Sequence, residues 1–468
     1  MTELHWKTAT ELAGLMRSGE LSSREVVQAH LDRIDDTNGT LNAIVTLTAE
    51  QALADADAAD AAQANGEPLG VLHGLPIAHK DLADTADVLT THGSPLMADN
   101  VPTADALVVE RAKKAGAISI GKSNTPEFGA GSQTFNELFG ATTNPYDPTR
   151  TCGGSSGGAA VALAAGMVPL ADGSDFGGSL RNPASFCNVV GFRPSPGRVP
   201  AYPKADAWTF LSTEGPMART VEDVALLLSA QAGPDPRSPI ALETTGSAFR
   251  PPLADPDAGL RVAWAPALGG LPIHADVRSA LASVPGVFED LGHHVTEDVP
   301  DLSGAFEMFD TLRAWSFALG LGGLMDKHRD QMKETLIWNV ERGRNLSMEQ
   351  HHAASAAKER LYQRVVEFFS RYDVLLCPVV QVPPFPVETE YITEIDGHEM
   401  TSYIEWMRAC TDVTVMNAPA ISVPAGFTEQ GLPIGLQVVG PPRGDQRVLQ
   451  VAHQFEQATR VGERRPST

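Results

Sequence analysis

Apolar positions in this chain come in short blocks whose period switches repeatedly between that of a helix and that of a strand. Val27, Leu31 and Ile34 share one face at the 3.6-residue spacing of an α-helix. Two places fit the capping box, a Ser or Thr followed three residues later by Glu: Thr8 with Glu11, and Ser22 with Glu25. Each predicts a helix start. Residues 49–64 read as a third, alanine-rich helix, and 42–46 as a short strand before it. The three helices are expected to form a layer over residues 1–70.

Further on, the mostly apolar run Leu75-Pro76-Ile77-Ala78-His79-Lys80 reads as a strand ending on Lys80 and Asp81. Residues 105–115 predict a helix with Leu107, Val108 and Ala112 inward, and 117–121 predict the next strand. The stretch 127–148 is loop-rich, with Gly129, Gly131, Gly140, Asn144-Pro145 and Asp147-Pro148. Thr220 is the expected N-cap of a helix carrying Asp223 in its first turn. Strands are expected at 261–266, 293–297, 372–378 and within 417–442, one helix at 275–291, and a last helix at 444–458. Residues 300–360 read as mainly helical and carry Phe306, Met308, Phe309, Trp315, Phe317 and Trp338. Strands alternating with helices throughout, without repeat, linker or charge run, argue for α/β layers.

Composition narrows the class. At 468 residues, 43% hydrophobic and 20% charged, the chain can bury a large core. A formal net charge of −23 argues against nucleic acid or an anionic membrane surface as partner. The four cysteines lack CxxC or zinc-ligand spacing, so neither a disulfide framework nor a metal site is expected. No apolar run reaches the roughly 18 residues of a membrane span. The opening MTELHWKTATELAGLM has no basic flank followed by an apolar core, so no signal peptide is expected and the cytoplasm is the predicted location.

The chemistry concentrates between Cys152 and Pro200. Two glycine–serine clusters lie there, Gly153-Gly154-Ser155-Ser156-Gly157-Gly158 and Asp175-Phe176-Gly177-Gly178-Ser179, joined by a small-residue helix pattern. Serine is a poor nucleophile until a base takes its proton. Glycines let bare backbone approach a reacting carbonyl, and successive N–H groups can hold a developing oxyanion. Two such loops suggest acyl transfer. The first also matches G-x-S-x-G, but that elbow needs an apolar strand before it, and here a turn precedes.

The whole pattern resembles the amidase signature family. That family shows GGSSGG, a small-residue helix, then G-[ST]-D-x-GGS-[IL]-R, with an upstream G-[IL]-P-x-x-x-K-D segment that here runs from Gly74 to Asp81. Further likenesses are EFGAGSQTFNELFGATTNP and GPMARTVED, so the resemblance spans nearly the whole chain. It implies one α/β domain over 1–468, a large mixed twisted sheet with helices on both faces. Its signature core would be 71–200, with a variable helical region, 300–360, near the pocket. It implies a Ser–cis-Ser–Lys triad: Ser179 as nucleophile, Ser155 as bridge after a cis Gly154–Ser155 bond, and a neutral Lys80 as base. The N–H groups of Phe176, Gly177, Gly178 and Ser179 would form the oxyanion hole. Ser156 matches a structural serine, and Gly154 accommodates the cis bond. Asp175 and Arg181 match motif positions, Arg181 either fixing loops or meeting a polar substrate end. His79, on the opposite face of its strand from Lys80, is read as structural.

The implied activity is hydrolysis of carboxamide C–N bonds through an acyl-enzyme, on a small-molecule amide, without cofactor or metal, as a monomer or homodimer. The aromatic and methionine-rich 300–345 region suggests apolar or aryl amides, and Phe176 is expected to narrow the acyl side. Alternatives are a urethanase cleaving carbamates with the same triad, ester hydrolysis, or the glutamine-amidase subunit of a tRNA-dependent amidotransferase. From that subunit the chain departs at PAYPKADAWTFLSTEGPMART. A non-catalytic binding protein on the same fold is a further alternative.

Overall fold

The computed structural model describes residues 3–467. Eleven strands form one mixed sheet: β1 (Ile44–Leu47), β2 (Pro76–Lys80), β3 (Ile118–Ser123), β4 (Leu170–Asp175), β5 (Val190–Arg193), β6 (Thr213–Ala218), β7 (Arg261–Trp264), β8 (His294–Glu297), β9 (Val374–Pro378), β10 (Ala420–Phe427) and β11 (Pro433–Val439). Their spatial order is β1-β3-β2-β4-β6-β5-β10-β11-β9-β7-β8. The runs β3-β2-β4 and β9-β7-β8 are parallel, and the other neighbours are antiparallel. Helices flank this sheet: α1 (Ala9–Ser18), α2 (Ser23–Leu41), α3 (Ala49–Ala64), α4 (Leu107–Lys114), α5 (Gly157–Ala164), α6 (Arg181–Phe186), α7 (Val221–Gln231), α8 (Ala275–Leu281), α9 (Val284–Asp290), α10 (Ala305–His328), α11 (Glu334–Arg344), α12 (Met348–Arg371), α13 (Arg408–Thr414) and α14 (Asp445–Thr459). None of these described helices is long and apolar enough to cross a membrane. All four cysteines are buried and free.

Local chemistry sets several boundaries. Both expected capping boxes form: Thr8 Oγ1 accepts the Glu11 N–H while Glu11 accepts the Thr8 N–H, and Ser22 and Glu25 do the same for α2. Gly19 and Asn42 end these helices in the left-handed region, at φ 78° and 52°. Thr220 caps α7 as expected. Asp223 does more than sit in the first turn: its carboxylate accepts the Ala9 and Thr10 N–H groups at 2.9 and 2.8 Å and so caps α1 from across the fold.

The structure corrects four expectations. The strand expected at 42–46 starts at Ile44, because Asn42 is the left-handed cap of α2. The single helix expected at 275–291 is two, α8 and α9, because Pro285 cannot continue a helix and instead sits in the first turn of α9. The loop-rich 127–148 stretch contains two short antiparallel ladders, Phe135–Asn136 with Gly140–Ala141 and Thr143–Asn144 with Asp147–Thr151. Between 170 and 218, where the only expected element before Pro200 is a small-residue helix, lie three of the sheet's central strands, β4, β5 and β6.

Candidate active site

Two adjacent parallel strands build the floor of the site. β2 and β4 pair with Ile77 opposite Leu170 and Ala78 opposite Ala171, so Lys80 at the end of one strand lies beside Ser174 and Asp175 at the end of the other. Asp172 fixes the end of β2. One of its oxygens accepts the Lys80 N–H at 2.9 Å and the other pairs with His79 Nδ1. His79 Nε2 lies 3.0 Å from Ser119 Oγ, so the imidazole is held within the sheet layer.

The Lys80 side chain is 1% exposed. Its Nζ lies 2.7 Å from Ser155 Oγ, 3.0 Å from Ser156 Oγ and 3.2 Å from Ser174 Oγ. Burial pushes the Lys80 ammonium down from its ordinary value, against the opposing fields of Glu214, Asp175 and Asp172. Among the described residues no carboxylate pairs with the amine, so burial is left to favour its neutral form. The Gly154–Ser155 peptide is cis. Two glycines near the lysine leave little room for a side chain. A Cβ at Gly154 would lie 3.0 Å from the Gln133 backbone, and one at Gly173 would lie 2.6 Å from Ser156 Oγ.

The Ser156 N–H donates to the Ser179 carbonyl at 3.1 Å, tying the two glycine–serine loops together. Ser155, Ser174, Phe176, Gly177 and Ser179 line one cavity of about 140 Å³. Among the described residues no hydrogen bond joins the Ser155 and Ser179 hydroxyls. The expected four-donor oxyanion set needs correction at Gly178: its N–H donates to Asp175 Oδ1 at 2.9 Å and so points into the protein. Among the described residues nothing accepts from the N–H groups of Phe176, Gly177 or Ser179.

Asp175 and Arg181 lie behind the loop and do not line the cavity. Burial alone would raise the Asp175 carboxyl, but the charges of Arg181 and Arg193 hold it well below the usual carboxylate range. Arg181 grips both Asp175 oxygens at 2.9 Å and also donates to Gln437, Thr414 and the Cys410 carbonyl. All five Arg181 N–H groups thus donate to protein acceptors.

The cavity wall is aromatic. Phe309, Arg313 and Phe317 project from α10 at four-residue spacing, which puts them on one helix face. Phe176 meets Phe309 and Phe317 edge-on, with centroids 6.1 and 6.3 Å apart. A Cβ at Gly177 would lie 2.8 Å from Phe309 Cζ, so this ring packs directly on the loop. Of the six large residues singled out between 306 and 338, only Phe309 and Phe317 reach the cavity. Phe128, which lines the cavity, stands in the EFGAGSQTFNELFGATTNP likeness, whereas Ser174, Met407, Arg193 and Arg313 are not among the expected site residues. Ser174 stands inside the G-[ST]-D motif, which was its available signal; the others are gathered by tertiary contacts. Among the described residues no three His, Cys, Asp or Glu side chains converge as metal ligands.

The sequence model of the family Amidase matches residues 25–449. The chain is 36% identical over 472 residues to the acylamidase of Rhodococcus erythropolis, covering 100% of this chain and 99% of that one. It is also 36% identical over 489 residues to a glutamyl-tRNA(Gln) amidotransferase subunit from Chromohalobacter salexigens, covering 99% of each. A solved bacterial aryl acylamidase of the amidase signature family superimposes with a TM-score of 0.91 at 29% identity, over 98% of both chains. The chain belongs to the amidase family and is an amidase-signature amide hydrolase.

Proposed function

We propose that this chain cleaves apolar or aryl carboxamides through an acyl-enzyme formed on Ser179. The carrying observation is the buried Lys80 amine 2.7 Å from Ser155 Oγ, at the edge of a ring-lined cavity that also holds Ser179. Ser179 Oγ attacks the substrate carbonyl carbon and gives its proton to Ser155, whose own proton passes to neutral Lys80. The oxyanion is held by the N–H groups of Phe176, Gly177 and Ser179. Lys80 then returns the proton through Ser155 to the leaving amine as the C–N bond breaks. Water attacks the ester by the same route, releasing the acid and restoring Ser179. One oxyanion donor is worth about 2.7–4 kcal/mol of barrier, so a three-donor set accounts for a large share of the acceleration.

The test is amine release by the purified chain alone, without partner or ATP, from matched aryl amides, N-aryl carbamates and aryl esters. Turnover with anilides ranked first is the expected result; carbamates ranked first would make the enzyme a urethanase. A second reading draws on the equal identity to a tRNA-dependent amidotransferase component. Silence across the set, with glutamine hydrolysed only once the other components of such a complex are added, would replace the first reading with that one.

A further inference from the structure

Arg313 is 5% exposed and lines the candidate catalytic cavity. Its partners are neutral: Nη1 donates to Asn339 Oδ1, and Nη2 donates to the Tyr403 hydroxyl at 2.6 Å. The guanidinium also lies over the Phe317 ring, 4.4 Å from its centroid. Among the described residues no carboxylate lies within ion-pair distance of it. Other arginines of the same helical layer are paired: Arg342 with Asp310, Arg344 with Asp326 and Arg329 with Glu341. Arg313 is thus a buried cation on the cavity wall with no counter-charge among the described residues.

The groups around it are poised to give rather than take. A guanidinium has five N–H donors, and two acceptors use only part of them. Tyr403 Oη already accepts from Arg313 and, at 2.6 Å, from Asn339 Nδ2, which leaves its own O–H to be donated. Tyr403 borders a small adjoining cavity that shares Gly131 and Ser132 with the main one. A buried charge is costly unless paired, and a planar fork of N–H groups matches the two oxygens of a carboxylate bidentately.

We propose that Arg313 is a specificity residue that binds a carboxylate carried by the substrate, so that the preferred amides are amido acids with an aromatic or apolar body. This rests on the amide-hydrolase reading above and names the substrate class within it. The carboxylate pairs with the guanidinium while the rings of Phe176, Phe309 and Phe317 hold the body against the Ser179 loop.

Two measurements test it. In the first, benzoate and benzyl alcohol are titrated calorimetrically into the wild-type chain, Arg313→Met and Arg313→Lys. Benzoate should bind at least tenfold tighter than benzyl alcohol to the wild type, lose that preference in Arg313→Met, and recover part of it in Arg313→Lys. No preference in the wild type, or a preference that survives Arg313→Met, would overturn the proposal. The wild-type titration decides the matter even where a variant does not fold. In the second, kcat/KM is compared for 4-acetamidobenzoate against 4-methylacetanilide and for glutaranilic acid against valeranilide. At least one carboxylated member should exceed its neutral partner fivefold or more, and that ratio should collapse in Arg313→Met. Turnover confined to the neutral members would remove the carboxylate class and leave the amidase reading intact. Failure to cleave any of the four would strike the amidase reading itself, while the titration still reports on the anion site.

Discussion

The floor and the wall of the cavity are built on opposite plans. The floor, where β2 and β4 end, is a buried polar assembly in which Lys80, Ser156, Asp172 and Asp175 each make two or more hydrogen bonds and Ser155 is held by Lys80. The wall is a helical layer, α10 to α12, that sends in three side chains from one face and leaves Trp315 and Leu319 44% and 51% exposed on others. Polar groups out of water must satisfy one another, so the floor tolerates few changes. A ring can be exchanged for another apolar group of similar size at small cost. In the proposed mechanism the floor carries out bond-making and the wall selects the substrate.

The sharpest way to break this division is to change the floor and find the chemistry intact. Ser179→Ala should abolish acyl-enzyme in mass spectra of the quenched reaction and lower kcat by at least about 10⁴-fold, as expected for losing a nucleophile. Lys80→Ala should lower kcat/KM by about 10²–10⁴-fold, the usual worth of a general base, with the melting transition retained. Near-normal rates at neutral pH would remove Lys80 from the proton path. Asp175→Asn leaves Arg181 and Arg193 buried without their carboxylate and should cost about 3–5 kcal/mol in denaturant unfolding.

The wall should respond differently. Phe317→Ala should cost an aryl amide about tenfold in kcat/KM, equivalent to one ring contact, and leave small aliphatic amides little changed. A uniform loss of activity would mean that wall and floor are not separable. The smallest effect is electrostatic. In the proposed mechanism Lys80 acts as a neutral base, so kcat/KM should fall as pH drops through its depressed value, giving an acid limb below the ordinary 10.5. The Glu214 charge favours the ammonium, so Glu214→Gln should move that limb to lower pH. A shift to higher pH would show that the limb belongs to another group.

The same contrast explains what could be read from sequence. Ser155 and Ser179 stand in loops whose composition announces them, Lys80 ends a strand inside the Gly74–Asp81 segment, and the capping boxes of α1 and α2 are local signals that need no tertiary knowledge. The central strands β4, β6 and β5 are not legible because LADGSD, TEGPMA and VGFR lack the alternation and β-branched enrichment of a typical strand. Their glycines serve close approach instead: a Cβ at Gly215 would lie 2.3 Å from the Phe192 carbonyl oxygen, and one at Gly191 would lie 2.2 Å from that of Leu180. Arg193, Gln437 and Thr414 reach the Asp175–Arg181 pair only through sheet order and the packing of α13. Pro285, by contrast, is a breaker visible in the sequence, inside a helix that periodicity alone makes too long.

The carboxylate of Asp223 carries a consequence for the far end of the chain. It is fully buried and held by the first N–H groups of α1, more than two hundred positions earlier. A chain trimmed past Thr10 would strand that negative charge in the first turn of α7, near an arginine, Arg219, that also donates to the Lys7 carbonyl. The opening helix is therefore a plug for a socket in the body of the enzyme, and cutting it away should be felt as loss of folded protein rather than as a shorter tail.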